Sequence, residues 1–221
     1  MNEIQSPATG TAPGDSQSFE AQAYVLLSAL ERHDEPTRYH SSGVATWSRR
    51  IASMLDLPLS AMQFIERCAL LHDVGKILTP RDILTKPGPL TADEWGRMRA
   101  HAAEGAALLR DVPALAAYAD VVGSHHEHYD GRGYPEGLRG QAIPFEARII
   151  SVVDAFDAMI SKRSYRASLA PSAALTELQR CRGTQFEPAV VDCLVSILLP
   201  RGARIEASGV GSAGLRQASG R

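Results

Sequence analysis

The stretch LLHDVGK, residues 70 to 76, ends an apolar run with a histidine beside an aspartate and sets a lysine one helical turn further on. A buried carboxylate without a partner is costly, and either a basic residue or a metal ion removes that cost. For His72 and Asp73 the dipeptide alone does not choose between them. Asp154 raises the same problem, flanked as it is by Val152, Val153, Ala155 and Phe156. The chain has seven histidines, and each taken singly reads as an ordinary hydrogen-bonded helix residue. The combination carries the signal. His40, His72, Asp73, His101, His125, His126 and Asp154 come from five expected helices, each offering one or two nitrogen or oxygen ligands. Imidazole and carboxylate without thiolate suit iron or manganese ahead of zinc, and this set exceeds what one tetrahedral ion takes, so two divalent ions are expected. The adjacent His125 and His126 are expected to point about 100° apart on one helix, serving two ions or leaving one ring in solvent. Asp157 is expected to cap a neighbour or to pair with Arg163 or Arg166.

Only a bundle with a shared interior gathers such a set, and the remaining sequence supplies one. The chain has 221 residues and 44% apolar content, enough for a full core in one domain. Its formal charge of −2 does not favour nucleic acid or an anionic membrane as partner. No apolar run is long enough to span a bilayer, no export signal is visible, and Cys68, Cys181 and Cys193 read as reduced core thiols, so a cytoplasmic protein is expected. Residues 1–18 and 203–221 are rich in Gly, Ser, Ala and Pro and are expected to be disordered tails around a domain at 19–202. Apolar periodicity predicts an all-α fold, with helices near 19–32, 40–55, 60–76, 91–109, 113–127, 145–161, 171–181 and 187–199. Capping boxes are expected at Ser60 to Gln63 and Thr91 to Glu94. Two stretches, TPRDILTKPGPL and YDGRGYPEGLRGQAIP, carry too much proline and glycine for helix and are read as long functional loops.

LLHDVGK, LTKPGPLTADEWGRMRAHAAEGAALL, HHEHYDGRGYPEGLRGQAIPFEARIISVVDAFDAM, KRSYR and GTQFEP occur in the order and at the spacings of the HD-GYP domain, a branch of the HD metal-dependent phosphohydrolases. The resemblance covers about residues 20 to 200. It implies an HD-type helical bundle around a buried metal centre that hydrolyses cyclic di-GMP to pGpG and, in some members, to GMP. It makes His72 and Asp73 the namesake ligands, with His101, His125, His126 and Asp154 completing the centre and His40 matching the first histidine of the pattern. Members with a third metal carry a glutamate four residues before that histidine. Here the position is Pro36, with Glu35 one step off, so two metals are expected.

Two metal ions together activate water and take up charge on the phosphate, which removes the need for a Ser, Cys or Thr nucleophile. Asp73 is expected to bridge them. For protonation of the leaving group the sequence offers Lys76, His125 or solvent without ranking them, and Lys76 is also expected to reach a phosphate. The resemblance assigns Lys162, Arg163 and Arg166 to substrate phosphate or guanine; a solvated basic turn is the plainer alternative. Tyr134 either stacks on a base or packs its loop. A catalytically silent module that binds cyclic di-GMP or a signalling protein, and an HD phosphohydrolase acting on another nucleotide, remain as alternatives. No receiver domain is expected before the motifs. Regulation is therefore expected from expression, from a homodimer formed through the first helix, or from a separate regulatory protein.

Overall fold

The computed structural model describes residues 13–34, 36–161 and 168–199. Glu35 and the basic residues Lys162, Arg163 and Arg166 lie outside them, as do 1–12 and 200–221. Apolar residues at helical spacing give α1 (Pro13–His33), α2 (Pro36–Met54), α3 (Leu59–Leu71), α4 (Arg81–Leu84), α5 (Ala92–Arg110), α6 (Ala119–Gly123), α7 (Phe145–Ile160), α8 (Pro171–Arg180) and α9 (Pro188–Leu198). Short 3₁₀ segments intervene at Val74–Leu78, Ala116–Tyr118 and Gly140–Ala142. No strand occurs among the described residues, so the all-α expectation holds.

α7 is the spine of the bundle. Ala147, Ile149, Ile150, Val152, Val153 and Phe156 are all buried, so this helix is covered on several sides, and it touches α2, α3, α6, α8 and α9. Full burial of each large side chain stabilises the fold by about 1.5–3 kcal/mol. Against α7 lies α2, where Trp47 meets Phe156 edge to face with ring centroids 6.2 Å apart. α2 packs in turn on α3, and α5 packs on α6 and on the Val74–Leu78 segment. α2, α3, α5, α6 and α7 thus pack on one another through these pairwise contacts.

Several boundaries differ from the periodicity reading, each for a physical reason. α1 begins at Pro13, so part of the stretch expected to be a tail is helical. α3 starts at Leu59 behind Pro58, whose extended conformation (φ −64°, ψ 154°) sets the helix start, and no Ser60 capping box forms. The box at Thr91 does form: its hydroxyl accepts the Glu94 N–H while its own N–H donates to Glu94 Oε2 at 2.7 Å. The helix expected over 60–76 stops at Leu71, and that expected over 113–127 is reduced to a 3₁₀ turn and the short α6. Of the two long loops, the first carries α4 and the second the Gly140–Ala142 turn.

Candidate metal centre

Each polar side chain of the centre comes from a helix or from the turn just after one. α3 delivers His72 and Asp73 where it gives way to the 3₁₀ segment. That change of path lets Gly75 lie against α5, so close that a Cβ there would sit 2.0 Å from the His101 carbonyl oxygen. Only glycine fits the crossing, and the crossing brings Asp73 beside His101. His125 and His126 follow the end of α6 at Gly123, His40 projects from α2, and Asp154 and Asp157 project from α7. The two adjacent histidines are therefore not on one helix. Their rings lie 4.0 Å apart and both join the same group, which corrects the expectation of divergent directions.

Hydrogen bonding fixes which nitrogen three of the rings offer. His72, His101 and His125 set Nδ1 at 2.7, 2.6 and 2.5 Å from the carbonyl oxygens of Ala69, Met98 and Val122, each three residues back. A carbonyl only accepts, so each Nδ1 carries the proton and each Nε2 presents a bare lone pair. The Nε2 atoms of His101 and His125 then face each other at 3.4 Å with no proton to share. His72 Nε2 is buried without a hydrogen-bond partner. Lone pairs converging in this way are the arrangement that a cation relieves.

Two ligand groups result, His101 with His125 and His126, and His40 with His72 and Asp73; within each, the ligand atoms all lie within 4.8 Å of one another. Asp73 spans them. Its Oδ1 is 3.4 Å from His101 Nε2, while its Oδ2 is 3.4 Å from His72 Nε2 and 4.0 Å from His40 Nε2. Asp154 Oδ1 is 3.0 Å from His40 Nε2 on the other side. Nitrogen and carboxylate donors without sulfur, in two adjoining sets, fit a pair of divalent cations of the iron, manganese or zinc type.

The electrostatics agree with that donor set. Burial would lift the Asp73 carboxyl, but Lys76, His72, His101 and His40 hold it well below the usual carboxylate range. Asp154 is likewise held low against its burial by the hydrogen bond and charge of His40. Burial, helped by the neighbouring His101, pushes His126 down to about 3, and burial also lowers His101 and His125. These three rings are neutral near pH 7, the state a metal requires. His40 behaves oppositely: burial alone would lower it, but hydrogen bonds to Asp154 and Asp157 raise it to about 9.

All seven ligand candidates read from the sequence are thus brought together. Lys76 sits at their edge with Nζ 2.6 Å from Asp73 Oδ2, and Tyr134 stacks on His126 with centroids 4.9 Å apart. Two further residues escaped sequence reasoning. Asp157 pairs with His40, its Oδ2 2.7 Å from Nδ1; Arg163 and Arg166, the partners expected for it, lie outside the described residues. Glu127, only 2% exposed, accepts the N–H groups of Glu136 and Gly137 at 2.7 and 3.0 Å. The signal for Asp157 was its spacing three residues after Asp154, which puts both on one side of α7; the signal for Glu127 was its position directly after the paired histidines.

Comparison with known proteins accords with this geometry. The family model described as "HD domain" matches residues 23–190. The chain belongs to the HD domain family. Its motifs put it in the HD-GYP branch of that family. It is 41% identical over 177 residues to the cyclic di-GMP phosphodiesterase response regulator RpfG of Xanthomonas campestris pv. campestris, covering 77% of this chain and 46% of that protein. It is 38% identical over 174 residues to 3'3'-cGAMP-specific phosphodiesterase 2 of Vibrio cholerae, covering 78% of this chain and 33% of the other. The chain therefore spans about a third to a half of the length of these curated HD relatives. Among solved structures, an HDG"Y"P protein from Bdellovibrio bacteriovorus shares the fold with a TM-score of 0.64 at 20% identity, over 83% of this chain and 62% of that one. No described helix is long and apolar enough to cross a membrane.

Proposed function

We propose that this HD-GYP chain is a metal-dependent cyclic dinucleotide phosphodiesterase, that it holds two divalent ions, and that it hydrolyses cyclic di-GMP to pGpG with GMP as a possible second product. The observation that carries this reading is Asp73, whose two oxygens face two adjoining groups of imidazoles. When bound, a pair of divalent ions supplies an activated water at neutral pH and takes up negative charge from the phosphate.

The chain's own residues do the rest. His101, His125 and His126 would hold one ion and His40, His72 and Asp154 the other, with Asp73 facing both groups. Carbonyls of Ala69, Met98 and Val122 keep the rings in the ligating tautomer. Lys76 lies at the edge of the centre, partly exposed and with its charge held against burial by Asp73. It is the group that reaches a phosphate oxygen and gives a proton to the leaving oxygen. His125 does not serve as that acid, because its one proton is committed to the Val122 carbonyl in a fully buried site. Lys162, Arg163 and Arg166, by their charge and their position after α7, are assigned to the second phosphate or to guanine.

Relatives named for cyclic di-GMP and for 3'3'-cGAMP align at 41% and 38% identity, so the substrate assay includes both dinucleotides. Protein purified without oxygen and assayed for metal content is expected to hydrolyse cyclic di-GMP, with Mn²⁺ or Fe²⁺ bound. His72→Ala and Asp73→Ala are each expected to abolish turnover. Unchanged turnover in those variants sinks the catalytic assignment, and faster hydrolysis of 3'3'-cGAMP reassigns the substrate. Binding of cyclic di-GMP by a metal-loaded protein that turns over neither dinucleotide would make the chain a silent signalling module.

A further inference from the structure

His40, His72, His101 and His125 are each oriented by a hydrogen bond from Nδ1, but among the described residues His126 makes no side-chain hydrogen bond. Its ring is held by packing. Tyr134 stacks on it with centroids 4.9 Å apart and planes 27° apart, and the Arg99 guanidinium lies 5.6 Å from the Tyr134 centroid.

The loop that carries Tyr134 is tied to the histidine segment at several points. The Tyr134 N–H donates to the His126 carbonyl at 3.3 Å, and the Gly131 N–H to that of His128 at 2.8 Å. Glu127 accepts the N–H groups of Glu136 and Gly137 on the far side of the loop. Gly133 is pressed so close that a Cβ there would lie 2.2 Å from the His128 nitrogen and 2.5 Å from the Glu127 Cα. Gly131 has a φ of +83°, a conformation that glycine adopts without strain. The residue types of DGRGYP are thus those needed to clasp this loop to HHEH.

We propose that Tyr134, held in register by Glu127 and Gly133, is a positioning residue for His126, so that the GYP loop completes the His101, His125 and His126 ligand group. This rests on the two-ion reading above. An imidazole turns readily about its outer torsion, and a ring lacking a fixed hydrogen bond must be ordered when the ion binds. A flat aromatic partner orders it beforehand, as the carbonyls do for His72, His101 and His125. What matters is the ring face, not the tyrosine hydroxyl.

The test is a Mn²⁺ titration of the metal-stripped full chain, with free ion read by electron paramagnetic resonance. It compares wild type with His126→Ala, Tyr134→Leu, Glu127→Ala and Tyr134→Phe, with melting curves to verify folding. His126→Ala and Tyr134→Leu are expected to weaken one Mn²⁺ by about 10- to 100-fold, with the other ion much less affected. Glu127→Ala, which releases the loop amides without touching Tyr134, is expected to follow them. Tyr134→Phe is expected to bind as wild type does. The proposal fails if Tyr134→Leu and Glu127→Ala keep both ions, if both ions weaken equally, or if Tyr134→Phe loses as much as Tyr134→Leu. A wild-type protein that takes up no Mn²⁺ overturns the two-ion reading itself, a result distinct from any of these.

Discussion

An imidazole offers a metal one defined nitrogen when the other is occupied, and in this centre the occupant differs from ring to ring. For His72, His101 and His125 it is a backbone carbonyl, which no side-chain substitution removes. For His40 it is the Asp157 carboxylate. Asp157→Ala is therefore expected to weaken metal binding at the His40, His72 and Asp73 group by about 10- to 100-fold. Asp157→Asn, whose amide oxygen still accepts the Nδ1 proton, should lose less; calorimetric titration with Mn²⁺ separates the two, and equal binding by both variants and wild type removes Asp157 from the centre. Protonation follows the same residues. In metal-free protein His40 is raised from 6.5 to about 9, so its contribution to stability is complete below pH 6.5 and is lost as pH climbs through 9. His126, lowered to about 3 chiefly by burial, acts the other way: its folded site favours the neutral ring, and stability is lost as pH falls from 6.5 towards 3. His101 and His125 shift in the same direction as His126. Metal-free protein is thus expected to melt highest near pH 6.5, with a steeper fall on the acid side, where three rings oppose protonation, than on the alkaline side, where one releases a proton. A flat profile in calorimetry with chelator present contradicts these assignments.

Among the elements, the break after α3 decides whether the ligands meet. Periodicity legibly marked the helices that form the bundle, because apolar spacing reports which face is buried. It read one helix over 60–76, however, where the chain leaves α-geometry at Leu71 so that Gly75 can press against the backbone of α5. That exchange of a local helix for a close crossing depends on a partner far along the chain, which propensity does not contain. The cluster of candidate ligands was readable because histidines and acids in apolar surroundings are costly unless paired. Asp157 was not, since its bond to His40 joins residues 117 apart in sequence. Nor was the common direction of His125 and His126, because α6 ends at Gly123 and leaves them on a turn. Two glycines test the crossing. A Cβ at Gly75 meets backbone at 2.0 and 2.6 Å, which cannot move aside cheaply, so Gly75→Ala is expected to cost more than about 3 kcal/mol. Gly96, exposed within α5, has no atom beyond its chain neighbours and its own helix backbone within 4 Å of the place a Cβ would take, and Gly96→Ala should stabilise by about 0.5–1 kcal/mol. Urea unfolding of both variants checks the pair, and a Gly75→Ala protein as stable as wild type would show that the crossing is not required.

For the molecule as a whole, the candidate ligands are supplied by α2, by the ends of α3 and α6, by α5 and by α7, from His40 to Asp154. An unfolded chain cannot gather them, so any ion bound there binds the folded state alone and adds to its stability by mass action. With free metal at about 100 times the dissociation constant, one site contributes about 2.7 kcal/mol. In a domain of this size each kcal/mol moves the melting temperature by about 2–4 °C. Stripping the metal is accordingly expected to lower the melting temperature by roughly 5–10 °C per ion, and readdition of Mn²⁺ should restore it. The metal-free interior also leaves the His101 and His125 lone pairs opposed at 3.4 Å, so relief of that opposition belongs to the same gain. Asp73→Ala removes the residue that faces both groups and should abolish most of the metal-dependent increase. Scanning calorimetry on stripped and reloaded protein decides the matter. If stoichiometric metal leaves the melting temperature unchanged, the ions reside at surface carboxylates, and the convergence of these ligand groups is not what holds them.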